Sequence, residues 1–122
     1  MAGSGVRERL PLLEPAPELW RTDLQRHDLS APGREVVQSR LDVGPEAPLV
    51  KHTHPGEEII YILEGSLEDQ IEGQPPKTLH AGDALTVPVG VIDAVRNVGS
   101  GDAAELATYV VKKGKPLSTL AA

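Results

Sequence analysis

The chain has 122 residues, a formal net charge of -6, 39% hydrophobic residues and only 2% aromatics, which allows one hydrophobic core built from Val, Leu, Ile and Ala. An acidic chain with scattered Lys and Arg excludes a nucleic-acid backbone as partner, because phosphate binding needs clustered cations. With no cysteine there are no disulfides, thiolate ligands or thiol nucleophiles, so any metal must sit on nitrogen and oxygen.

Residues 1–19 are rich in Gly, Pro and Glu without a sustained period, and read as a flexible leader or an arm ordered only by docking. Their apolar patch, Leu10 to Leu13, is far too short for a signal peptide or a membrane span, so a cytoplasmic protein with no membrane partner is expected. The remainder, residues 20–122, reads as a single domain. From Trp20 to Leu29 the periodicity fits a short strand or a turn of helix equally well.

After the turn at Ala31-Pro32-Gly33, alternation predicts a strand over Glu35 to Val43, with Val37, Leu41 and Val43 on one face and Val36, Gln38 and Arg40 on the other. Gln38 is therefore a candidate substrate contact or an exposed polar residue. Strands are also predicted for Leu49 to His54 and for Glu57 to Glu64. The dense EEIIYILE run of the second suggests burial on both faces. Leu67 to Ile71, Lys77 to His80, Ala84 to Pro88, Val91 to Asn97 and Ala104 to Lys112 complete the set. Short strands at this spacing, with no helical stripe, define an all-β sandwich or barrel.

The chemistry concentrates in His52-Thr53-His54-Pro55-Gly56-Glu57-Glu58. Side chains two apart on a strand share a face, so His52 and His54 can grip one ion. Glu58, beyond the Pro-Gly turn, can return from the next strand with a hard oxygen. Two imidazoles and a carboxylate suit Fe, Mn, Ni, Cu or Zn.

These residues carry a family resemblance. His52-x-His54-x3-Glu58-x6-Gly65 resembles the first cupin motif, and Gly82-x5-Pro88-x-Gly90-x2-Asp93-x3-Asn97 resembles the second. The resemblance spans roughly Val36 to Val111. It implies a double-stranded β-helix, the jelly-roll barrel, as a homodimer with its site in the barrel mouth. It also implies His52, His54 and Glu58 as metal ligands. Two positions depart from the pattern: Glu46 stands where the first motif opens on glycine, and Asp93 stands where the second supplies a histidine ligand.

Asp93 leaves three readings open. The first is a divalent-metal site of His52, His54, Glu58 and Asp93, acting on or binding a small organic molecule, as an oxidoreductase or lyase. The second is a metal-free pocket, altered naturally or by engineering, in which Asp93 is the general base for proton abstraction; Ile60, Ile62, Val91 and Val95 would line it. The third is a non-catalytic small-molecule binder or sensor. Asp69 shares a face with Leu67 and Ile71, and if that face is inward it rivals Asp93 as base. Tyr61 lies opposite Glu58 and reads as packing, Tyr109 is ambiguous, and His27 and His80 lack partners at ligand spacing.

Overall fold

A computed structural model describes residues 7–9 and 18–121. Most of the leader assigned to residues 1–19 thus lies outside the described residues, although Arg7–Arg9 forms a strand. Eleven strands and no helix are found among the described residues: β1 (Arg7–Arg9), β2 (Leu19–Asp28), β3 (Arg34–Val43), β4 (His52–Thr53), β5 (Gly56–Glu64), β6 (Ser66–Ile71), β7 (Lys77–His80), β8 (Ala84–Val87), β9 (Asp93–Asn97), β10 (Ala103–Lys112) and β11 (Thr119–Leu120). The open segment after Trp20 is therefore a strand. Its ladder with β3 is broken by a register shift between Asp23 and Gln25, and such a shift disguises a period of two.

The strands form two antiparallel sheets, ordered β1-β2-β3-β10-β5-β8 and β11-β4-β9-β6-β7. They pack face to face as the jelly roll expected from the sequence. Ile60, Ile62 and Val87 from the first sheet meet Leu67, Ile71 and Leu79 from the second in one aliphatic cluster. Val37, Ala107, Tyr109 and Val111 form another, covered by Leu117. Burying each such side chain contributes roughly 1.5–3 kcal/mol, which lets a core almost without aromatic rings hold the barrel closed.

Several expectations change here. The predicted strand from Leu49 to His54 shrinks to His52–Thr53, because Pro48 lies beside it and the preceding residues run irregularly over the barrel end. β5 is buried on one face only: Glu58, Ile60 and Ile62 point inward, while Ile59, Tyr61 and Leu63 are 43%, 46% and 38% exposed. Apolar residues on both faces mask the alternation that marks a half-buried strand. Gln38 points outward, donating from Nε2 to Thr108 Oγ1 at 3.1 Å and accepting from Gln25 Nε2 at 2.9 Å, so it is not a substrate contact in the barrel.

Two residues, Gly56 between the ligand positions and Asn97 at the end of the second motif, act on the backbone. A side chain at Gly56 would collide with the Val110 carbonyl and Val111 Cα, so glycine lets β5 start flush against β10 between the second histidine and the glutamate. Asn97 donates to the carbonyls of Val43 at 2.7 Å and Gly101 at 2.9 Å and accepts from Gly99 N at 2.8 Å, pinning the end of β9. No helix among the described residues is long and apolar enough to cross a membrane.

Candidate metal centre

β4 supplies His52, the β4–β5 turn His54, β5 Glu58 and the start of β9 Asp93. Register brings them together: His52 is the direct cross-strand partner of Asp93, and Glu58 comes in from the opposite sheet. One ligand atom from each of the four lies within 4.8 Å of the others. His54, Glu58 and Asp93 are buried, and His52 is half-buried at the rim. All four sequence-predicted ligands therefore converge.

The proton positions on the imidazoles follow from their neighbours. His52 Nδ1 lies 2.9 Å from the Val50 carbonyl, and His54 Nδ1 lies 2.7 Å from the Leu117 carbonyl. A carbonyl only accepts, so each Nδ1 carries the hydrogen and each Nε2 presents a lone pair. Those lone pairs face carboxylates: His54 Nε2 is 3.1 Å from Glu58 Oε1 and 3.9 Å from Asp93 Oδ1, and His52 Nε2 is 3.4 Å from Asp93 Oδ1. Lone pair against lone pair is repulsive unless a metal ion or a proton sits between. With Nε2 unprotonated, His54 Nε2, Glu58 Oε1 and Asp93 Oδ1 are moreover buried without a hydrogen-bond partner, although such groups are almost always satisfied in folded proteins. The donor set fits a divalent ion, with the two carbonyls as the outer partners that orient ligating histidines.

Without an ion the cluster must hold protons. Burial, reinforced by the charge of Glu58, pushes the Asp93 carboxyl up to about 8. Burial alone would lower both histidines, and it does lower His52. For His54 the hydrogen bond and charge of Glu58, aided by the Leu117 carbonyl and Asp93, outweigh burial and raise its pKa.

Two further acids stand beneath the four. Asp69 on β6 is inward and only 2% exposed, so the face it shares with Leu67 and Ile71 is the core face. Burial and Glu58 raise it to about 7. Glu105 on β10, which sequence reasoning misses, is 1% exposed. Burial drives its pKa well up, and its carboxyl lies within hydrogen-bonding reach of Glu58. The signal was present: Glu105, Ala107, Tyr109 and Val111 alternate on one otherwise apolar face.

Tyr109 is buried, pairs across the sheet with Glu58, and stacks at a tilt on His54 with ring centroids 4.8 Å apart. Ile60 and Ile62 are core rather than pocket lining, with Val91 and Val95 packed against the same cluster. His27 and His80 are exposed, as the sequence suggests. A cleft of about 250 Å³ is lined by Arg21, residues 23–26 of β2, Val37 and Leu117, the residue whose carbonyl meets His54 Nδ1.

With this geometry in place, the class is clear. A family model for the cupin domain matches residues 38–112, and the chain belongs to the cupin family. Germin-like protein 1 of Brassica napus is 30% identical over 82 residues, covering 63% of this chain and 40% of that protein. Dimethylsulfoniopropionate lyase DddQ of Ruegeria pomeroyi is 47% identical over 45 residues, covering 37% of this chain and 22% of the lyase. The chain thus spans about two fifths or less of the length of these curated relatives. A cupin-like protein from Thermotoga maritima superposes with a TM-score of 0.70 at 17% identity, covering 99% of this chain and 86% of its own, a likeness of fold alone.

Proposed function

We propose that the protein is a divalent-metal cupin acting on a small organic molecule bound at the barrel mouth, with His52, His54, Glu58 and Asp93 as ligands. One observation carries the reading: both Nδ1 atoms are committed to backbone carbonyls, which turns both Nε2 lone pairs onto two buried carboxylates. Fe, Mn, Ni, Cu and Zn all suit such nitrogen and oxygen donors. A bound ion would act as a Lewis acid with positions open to substrate. The protein's own residues fix the imidazole tautomers, exclude water from three of the four ligands and hold a carboxylate at Asp93. Likeness to a lyase over 45 residues supports lyase chemistry among the possible reactions. Elemental analysis of protein purified without added metal, paired with anomalous scattering at the site, tests the reading; a protein with no bound metal that takes up none on dialysis sinks it.

Asp93→His is expected to tighten metal binding by about tenfold or more, because an imidazole reaches further than the shorter carboxylate. Competition against a chromophoric chelator measures it. An unchanged affinity would show that the side chain at 93 does not reach the ion.

A second reading rests on the raised Asp93, a buried carboxyl poised to exchange a proton near neutrality. In a metal-free pocket it would be the general base. Asp93→Asn removes turnover under that reading, and retained turnover excludes it.

We also propose a homodimer through the outer face of β5, where Ile59, Tyr61 and Leu63 leave an apolar stripe in solvent. Tyr61→Glu is expected to halve the mass seen by light scattering. An unchanged mass places any interface elsewhere.

A further inference from the structure

Asp69 has no role in the centre described so far, and its surroundings leave it unsatisfied. It is 2% exposed, and neither carboxylate oxygen accepts a well-aligned hydrogen bond among the described residues, although the Gln70 backbone N–H lies near. Its cross-strand neighbours are Val95 on β9 and Lys77 on β7. Val95 is apolar, and Lys77 is exposed and forms no ion pair with it. The inward residues on either side, Leu67 and Ile71, belong to the aliphatic core. Among the described residues no side chain supplies the donor this carboxylate lacks.

Asp69 is also close to the ligands. Ile71 pairs directly with Asp93, so Asp69, two residues before Ile71 on the same face, is the diagonal neighbour of Asp93, about 7–8 Å away. With a divalent ion in place, Glu58 and Asp93 balance its two charges, and two buried acids are left without a countercharge, Glu105 beside Glu58 and Asp69 on the strand next to Asp93. A ligand complementary to that layout carries an oxygen donor for the ion and, two or three bonds further on, a cation that donates hydrogen bonds. A dicarboxylate would set a second negative charge against Asp69.

We propose that Asp69 is a specificity-determining residue which receives an ammonium group, so that the site selects small amino acids or amino alcohols with a metal-binding oxygen. The proposal rests on the metal reading above for the other end of the ligand.

The test uses zinc-loaded full-length protein titrated by calorimetry with β-alanine and with propionate, which share a carboxylate and a three-carbon chain and differ in the ammonium. Wild type is expected to favour β-alanine by about tenfold or more. Asp69→Asn should bring the two within about twofold, with zinc content and propionate affinity unchanged. Without any variant, nuclear Overhauser contacts from the methylene beside the ammonium to the methyls of Ile71 and Val95 would place that group at Asp69. Equal affinities in wild type, a preference that survives Asp69→Asn, contacts elsewhere, or no binding of either probe each overturn the proposal. Failure to take up zinc sinks the metal reading and this proposal with it, whereas zinc uptake without a β-alanine preference sinks this proposal alone.

Discussion

Alanine in place of His54 is expected to empty the metal centre. This side chain stands between the two carboxylates, 3.1 Å from Glu58 and 3.9 Å from Asp93, and is buried to the same depth as both. Removing it takes away a ligand and leaves the two acids facing a void. Loss of an outer-shell partner alone costs about 10–100-fold in metal affinity, so loss of a buried ligand is expected to cost more than about a hundredfold. Elemental analysis should fall from about one ion per chain to background, while His27→Ala and His80→Ala, at exposed positions, leave it unchanged. Full occupancy in His54→Ala would mean that the ion sits elsewhere.

The metal-free protein is expected to be markedly less stable at alkaline than at mildly acidic pH, the reverse of what adding metal should produce. A carboxyl whose pKa is raised by folding stays protonated in the native state where the unfolded chain has already ionised, so folding takes up a proton. Asp93, moved by burial and Glu58 from 3.8 to about 8, and Asp69, moved by the same causes to about 7, thus contribute stability that is full below about pH 4 and lost as pH rises through 7 and 8. The raised His54 works in the same direction. The lowered His52 opposes it, with stability present above its ordinary 6.5 and lost as pH falls. Two strongly shifted acids and one raised histidine set the sign against the single lowered histidine. Urea midpoints should therefore fall between about pH 5.5 and pH 8.5 without metal and recover at the higher pH with it, since ligands must be deprotonated to bind. A metal-free midpoint that is flat or rises over that range would show that these carboxyls are ionised at no cost in the fold.

The architecture was largely legible because turns and strands alternate at short intervals and the motif offsets are fixed by covalent spacing. His52, His54 and Glu58 could be placed together from a period of two and one turn. Asp93 could be joined to them only through the resemblance, since nothing local to Val91-Ile92-Asp93 points to a partner forty residues back. What escaped has a physical cause in each case. The outward face of β5 is as apolar as its inward face, so hydrophobicity could not report burial at Ile59, Tyr61 and Leu63. The shift at Asp23 hides the period of β2. Glu105 was hidden by attention to ligand spacing, although an acid in line with Ala107 and Tyr109 was a signal in its own right.

Leu117 lies sixty-three positions from the imidazole its carbonyl touches, on the stretch that leads to the two-residue strand β11 beside β4. A segment remote in sequence thus decides which nitrogen of His54 carries hydrogen, and hence which is free to bind. Remodelling residues 117–120, with all four candidate ligands left intact, would let the ring turn to its other tautomer and present an N–H where a lone pair is needed. Changes in residues 117–120 should then be felt as changes in metal affinity.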